Sequence, residues 1–416
     1  MLEASIRLSD LCDFVGVQVD PASFDDGTYV GLEHIAPGRF TRIREGAATE
    51  VQSSKFAFQS GDVLYGKLRP YLDKAVLAFD SGICTTELLV LRPKEGVDPR
   101  FLLGVVHSPS FVKYAVSGTT GVQHPRTSWN HISEFELPAH EPDEQIKIAR
   151  FLWVVHEAVT ANETAIEAGT RLKRAAMRAL FTKGLRGAPQ KETEIGPVPE
   201  SWDVVSLGSL GRVGNGSTPK KTIHGYWKGG DFPWLTSAKV YDRDIVAADQ
   251  FVTPLALRDC HLPIIEPGAI LIAITGQGKT LGHCAVLRMR AAVNQHIAYV
   301  ATDLGKADPS FVRGYLETKY DYLRQVGVGG GSTKGALTCA FLRSLLIPFP
   351  PSLDEQREIV AVLDAIDRKI DLHRTKRAVL DELFKTILHK LMTGEIRLAD
   401  LDLSALDAKS AAGPAA

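Results

Sequence analysis

DEQIKIARFLWVVHEAV, residues 143–159, and DEQREIVAVLDAIDRKI, residues 354–370, are one segment written twice at a constant offset of 211 positions. The match continues beyond them, with Leu180 falling on Leu391 and Thr182 on Thr393. Neither copy contains proline, and apolar residues recur at alternating steps of four and three, the spacing of a helix that buries one seam. The first seam is Ile148, Leu152, Val155, Val159, Asn162, Ile166, Gly169, Lys173, Ala176 and Leu180. The second is Ile359, Leu363, Ile366, Ile370, His373, Arg377, Leu380, Phe384, Ile387 and Leu391. This is a coiled-coil repeat. Polar residues interrupt it, and we expect Asn162 to meet His373 and Lys173 to meet Arg377, fixing the register of two seams that face each other. Two independent amphipathic helices, each packed on its own domain, are the alternative. Ser352 with Glu355 suggests a capping box, and Pro142 followed by Asp143 a turn and a cap. Thirty-eight helical residues would make a rod of roughly 57 Å, long enough to act as a spacer.

Working outward, each helix follows a segment rich in β-branched runs broken by Gly and Pro, the pattern of a mixed α/β domain with many loops. The two segments echo each other faintly. IRLSDLCDFVGVQV from Ile6 resembles VVSLGSLGRVGNGS from Val204, SGDVLYGKL from Ser60 parallels PGAILIAIT from Pro267, and SGTTGVQ from Ser117 parallels GGSTKGAL from Gly330. The expected division is a first variable domain over 1–142, a helical region over 143–185, a second variable domain over 186–350, a second helical region over 351–397 and a flexible tail over 398–416. The Gly/Pro-rich stretch GLRGAPQKETEIGPVP marks the central boundary.

The 416 residues carry 48 Lys+Arg against 49 Asp+Glu, a balance that shows no global basic signature. Resolved along the chain it is uneven: residues 1–142 hold 13 basic and 18 acidic residues, whereas 143–190 hold 8 and 5 and 191–353 hold 17 and 14. The five cysteines are scattered, with no CxxC pair, a pattern that suggests neither a disulfide framework nor a Cys-rich zinc module. The N-terminus bears Glu3, Arg7, Asp10 and Asp13 where a signal peptide needs an apolar core, and the most apolar run, 264–275, is too short to span a bilayer. A cytoplasmic protein is expected.

Chemistry concentrates in Gly-rich loops. LYGKLRPYLDK supplies Lys67, Arg69 and Tyr71, and the acid-free loop SGTTGVQHPRTSWN supplies Thr119, Thr120, Gln123, His124 and Arg126. In the second domain NGSTPKKTIHGYWKGG supplies Lys220 and Lys221, SAKV supplies Lys239, GQGKTLGH supplies Gln277 and Lys279, and RQVGVGGGSTKG supplies Ser332, Thr333 and Lys334. Such side chains donate to phosphates and base edges, and these are the candidate contacts. Any single loop of this kind is more simply a solvated turn. Five at repeat-equivalent positions point to a polyanion.

Catalytic signatures are missing. GQGKT matches the end of a phosphate-binding loop, but the glycine that loop needs five residues before Gly278 is Ala273. Cys260-His261 and His283-Cys284 form a mirrored pair whose spacing fits no closed metal site. Pro142, Asp143 and Lys147 lack the second acidic element of a metal nuclease, and no amino-methyltransferase motif or nucleophile elbow occurs. No cofactor is expected.

The phrases LPAHEPDEQIKIARFL from Leu137, AMRALFTKGLRG from Ala176, EIGPVPESWDVVSLG from Glu194, IPFPPSLDEQREIVAVLDAIDRKI from Ile347 and LHKLMTGEIRL from Leu388, with TYVGLEHI from Thr28 and LYGKLRPYL from Leu64, together resemble the DNA-specificity subunit of Type I restriction-modification enzymes. The resemblance implies an α+β chain: two mixed α/β target-recognition domains, each reading half of a split DNA sequence, separated by two long helices that form an antiparallel coiled coil and set the gap. It also implies double-stranded DNA and two methyltransferase subunits as partners, with translocase/nuclease subunits added for restriction, and no catalysis by the chain itself. The acidic first domain departs from what DNA binding favours. A recognition subunit of a related Type II enzyme, and a coiled-coil scaffold that never touches DNA, are the rival readings.

Overall fold

Asp98-Pro99 and Asp308-Pro309 open two short helices in the same way, and the likeness extends through both halves of the molecule. The computed structural model describes residues 5–24, 27–276, 278–329 and 336–397. It is an α+β fold dividing into two compact units, residues 1–165 with 372–416 and residues 166–371. Both divisions fall inside the long helices Pro142–Lys183 and Leu353–Met392, so each unit holds part of both.

In the first unit a sheet runs in the order Cys12–Phe14, Leu88–Pro93, Val63–Gly66, Ala75–Leu77, all antiparallel. In the second unit the order is Gly211–Asn215, Ile297–Thr302, Ile270–Ala273, Cys284–Leu287, again antiparallel, with Asp244–Ile245 added in parallel at the far edge. A two-stranded ribbon accompanies each sheet, Ser5–Arg7 with Glu136–Pro138 and Asp203–Ser206 with Leu346–Phe349. The segments that echo faintly in sequence therefore occupy matching places.

Alternation along the central strands explains why both faces are covered. Val63 and Tyr65 enter the core shared with the helices, while Leu64 enters a second core behind the sheet. Ile270 and Ile272 do the same in the second unit, with Leu271 and Ala273 on the opposite face. The helices that close the first core begin at an aspartate cap and a proline. The Asp98 carboxylate accepts from Arg100 N–H at 2.8 Å, and that of Asp308 accepts from Ser310 and Phe311 N–H at 2.8 and 3.2 Å.

The repeated DEQ motif anchors each long helix through its glutamine. Gln356 is fully buried: its oxygen accepts from Asp308 N–H at 2.7 Å, and its amide donates to the carbonyls of Lys306 and Pro350. Gln145, also buried, donates to His140 O at 2.9 Å. Ser352 Oγ accepts from Glu355 N–H as a cap should, but the Glu355 carboxylate accepts from Trp202 Nε1 at 3.0 Å. Half of the expected capping box is thus diverted to hold Trp202 of the preceding domain.

Within the first unit, sequence numbers rise along one long helix as they fall along the other. A methyl group on Gly104 would meet Leu152 together with Leu388 and Met392, and farther along Asn162 Oδ1 lies 2.8 Å from His373 Nδ1. In the second unit a Cβ on Gly169 would lie 2.8 Å from Ile370, so the missing side chain permits a close approach there. Asn162 meets His373 as the seam reading expects, whereas the other polar match needs correction. Lys173 pairs with Asp367 and Glu317, and Arg377 with Glu163 and Asp381. At an offset of 211 Lys173 corresponds to Phe384 and Arg377 to Ile166, so the two were never aligned.

That offset exposes a chemical exchange. In the first unit Trp153, His156 and Phe384 surround Phe40, with ring centroids 6.0, 4.9 and 5.3 Å away. The repeat-equivalent residues in the second unit are Asp364, Asp367 and Lys173, and they meet Arg243: Arg243 contacts Asp367 at 2.5 Å and Asp364 at 3.3 Å, and Lys173 contacts Asp367 at 3.0 Å. One domain rests on its helices through aromatic rings, the other through ion pairs.

Candidate nucleic-acid interface

Strand Val63–Gly66 delivers the chain into the loop carrying Lys67, Arg69 and Tyr71. Its backbone turns sharply, with Arg69 and Asp73 both left-handed at φ 50° on either side of the short turn Pro70–Leu72. Two side-chain contacts hold this conformation, since a non-glycine residue is strained there. The Asp73 carboxylate meets His107 Nδ1 at 2.7 Å, and His107 Nε2 meets the Ala75 carbonyl at 3.0 Å.

The second candidate loop lies against the first. Thr120 and Arg126 close it by reciprocal N–H to C=O bonds of 3.0 Å, while Leu68 bridges to Arg126 and Arg69 N–H donates to Pro125 O at 2.7 Å. Lys67, Arg69, Tyr71, Thr119, Thr120, Gln123, His124 and Arg126, spread over 60 positions of sequence, are thereby gathered at one edge of the unit. Tyr71, Thr120, Gln123 and His124 are exposed, and Thr119 Oγ1 donates back to Val116 O.

Both arginines turn toward protein. The Arg126 guanidinium donates from Nε and Nη2 to the Glu87 carboxylate at 2.9–3.1 Å and from Nη1 to His124 O at 3.1 Å, and Arg69 Nη2 donates to Gln123 O at 3.3 Å. They brace the loop. Glu87 was missed in the sequence reading because it precedes an apolar strand, far from any basic loop.

The second unit repeats the arrangement. Strand Ile270–Ala273 leads into the loop of Lys279, and Thr275 bridges to Ala336 as Leu68 does to Arg126. Aromatic and basic groups pin this loop: Tyr320 O–H donates to Lys279 O at 2.5 Å, Arg324 Nη1 to Gly278 O at 3.0 Å, and Tyr241 O–H lies 2.9 Å from Thr280 Oγ1. His283 lies between Tyr241 and Tyr320, its ring tilted against theirs with centroids 4.7 and 4.5 Å away, and burial lowers its pKa. The neighbouring Cys284 thiol turns away toward Arg313 O, and burial pushes its pKa up to about 12. Lys279, Lys220 and Lys221 are exposed.

Lys239 is placed differently. Its ammonium contacts Asp242 at 3.1 Å and Asp249 at 3.4 Å, and the hydrogen bond to Asp242 raises its pKa, so its charge is already matched within the protein. Gln277, Ser332, Thr333 and Lys334 lie outside the described residues. A polar group not foreseen from sequence joins this edge. Thr275 Oγ1 lies 2.6 Å from His296 Nδ1, Gln295 Nε2 is 3.2 Å from His296 Nε2, and Thr218 Oγ1 donates to Gln295. Residues 294–296 precede strand Ile297–Thr302 as residues 85–87 precede Leu88–Pro93, so His296 stands where Glu87 does.

Among the described residues no group of three or more His, Cys, Asp or Glu is arranged to hold a metal ion, and no helix is long and apolar enough to cross a membrane.

Residues 199–382 match the family model described as the Type I restriction modification DNA specificity domain. Over 385 residues the chain is 26% identical to a Methanocaldococcus jannaschii protein provisionally named the type I restriction enzyme MjaX specificity subunit, covering 88% of this chain and 86% of that one. It is 31% identical over 205 residues to the type I restriction enzyme MjaIX specificity subunit of the same organism, covering 47% and 45%. Among solved structures, the Type I restriction-modification S subunit from M. genitalium superposes with a TM-score of 0.60 at 16% identity, covering 94% of this chain and 96% of that one. A chain from a study of complex assembly and conformational transition of the type I R-M system gives 0.57 at 22% identity, covering 94% and 98%.

Proposed function

We propose that this chain, which is similar over most of its length to Type I restriction-modification specificity subunits, reads a bipartite DNA sequence, one half-site for each of two target-recognition domains over 1–142 and 186–350. The observation that carries this reading is the repeated meeting of two loops at one sheet end, Leu68 with Arg126 and Thr275 with Ala336. In the first unit the meeting gathers exposed donors from separate parts of the chain onto a braced surface, as base readout requires.

In this reading Lys67, Tyr71, Thr119, Thr120, Gln123 and His124 face DNA in the first domain, and Lys220, Lys221, Gln277, Lys279, Ser332, Thr333 and Lys334 in the second. Arg69, Arg126 and Lys239 act by holding loops in shape. The helical regions over 143–185 and 351–397 form an antiparallel coiled coil whose 42 and 40 helical residues, about 60 Å each, fix the gap between half-sites. They also offer the docking surface for two methyltransferase subunits, while translocase/nuclease subunits join for restriction. The chain itself catalyses nothing and works in the cytoplasm.

Exchanging residues 1–142 for those of another specificity subunit tests the division of labour. Binding of the purified complex with its methyltransferase should switch at one half-site and keep the other; loss of both would refute independent readers. A scaffold that avoids DNA would show no salt-dependent, sequence-selective binding at all.

A further inference from the structure

We propose that the bridged loop Thr120–Arg126 is a base-reading finger whose tip, Val122, seats against the 5-methyl group of a thymine in the major groove. The proposal rests on the DNA-reading function above and adds the chemistry it reads. The two arginines that a sequence reading assigns to DNA are occupied from within. Arg126 is held by Glu87 and the His124 carbonyl, and Arg69 by the Gln123 carbonyl, so their charges shape the loop and leave its tip to make contacts.

What the tip presents is apolar. Val122 is 100% exposed, and it stands beside exposed Gln123 and His124 on a loop closed by two backbone hydrogen bonds. A β-branched side chain keeps few rotamers, and Gly121 at φ +90° makes the turn that projects it. Its ordering cost is therefore already met by the fold before any partner arrives. In the major groove the thymine methyl is the apolar feature of the base edges, and the neighbouring amide and imidazole can take the polar positions on either side. An apolar residue left wholly in water gains only when a partner covers it.

The test uses the full chain in complex with its methyltransferase, on a duplex carrying the site mapped from cellular methylation. Each thymine of the first half-site is replaced in turn by uracil, which removes one methyl group. One replacement should weaken binding about fourfold, the value of one buried carbon. Val122→Ser should weaken binding to the thymine duplex by a similar factor and abolish the response to that replacement. Replacements in the second half-site should act equally on both proteins. Glu87→Gln, which loosens the brace without touching the tip, should reduce the same methyl response. If no thymine of the first half-site responds, or if Val122→Ser keeps the full response, the proposal is overturned while the DNA-reading function stands. If the unaltered complex shows no site-selective binding, the function beneath it fails as well.

Discussion

Asn162 and His373 stand 211 positions apart, the offset that relates the two halves of the sequence, and they touch each other. The Asn162 amide donates to Ala158 O at 2.7 Å, which leaves its oxygen as acceptor and makes His373 Nδ1 the donor. Leu152 shares a neighbour with Leu388 and Met392, whereas Asn162, ten positions later, meets His373, so the two copies run in opposite senses there.

Breaking this contact on one side should cost more than removing it altogether. Asn162→Leu leaves the His373 donor facing an apolar group, and the full chain should lose about 1–3 kcal/mol in urea unfolding. The double variant Asn162→Leu, His373→Leu should recover most of that loss. Equal losses in the single and double variants would show that the pair does not set the seam.

The exchange of aromatic for charged chemistry predicts opposite responses to salt. Phe40→Ala, which empties the site between Trp153, His156 and Phe384, should cost about 3–5 kcal/mol with little dependence on ionic strength. Asp367→Ala removes the partner of both Arg243 and Lys173 and should cost about 1–3 kcal/mol at low salt, less in 1 M NaCl. Thermal unfolding of both variants at two salt concentrations checks the contrast, and the same salt response in both would contradict it.

His156 ties stability to acid. Burial against Phe40, reinforced by the positive charge of Arg39 nearby, lowers its pKa from 6.5 to about 4, and its Nε2 has no hydrogen-bond partner. Above pH 6.5 the ring is neutral folded and unfolded, so it contributes no pH dependence. As pH falls from 6.5 to 4 the unfolded chain takes up a proton that the folded site refuses, and stability drops by at most about 3 kcal/mol. His156→Phe should flatten unfolding curves in this window; an unchanged acid slope would assign the loss to other groups.

Periodicity and local grammar were readable in the sequence. The seam residues Ile148, Leu152, Val159, Ile359, Leu363 and Ile370 are buried, as their spacing predicts. What stayed hidden depends on contacts between distant segments. Glu87 and Arg126 are 39 positions apart, and Lys239 meets Asp249 across a turn, so neither arginine nor lysine announces that its charge is already paired. Loop composition shows which residues are donors, and only the fold shows toward what they donate. Lys173 and Arg377 teach the same lesson within the helices, where polar residues in a seam found partners on the neighbouring domain and helix rather than each other.

The central claim is that this chain chooses the DNA sequence its complex acts on. Mapping methylated bases across the genome of cells that carry the cognate methyltransferase, with and without this chain, tests it most directly. The account predicts a split motif, two short specified segments separated by a gap of fixed length, methylated only when the chain is present. Unchanged methylation without the chain, or a motif that is continuous, would contradict it.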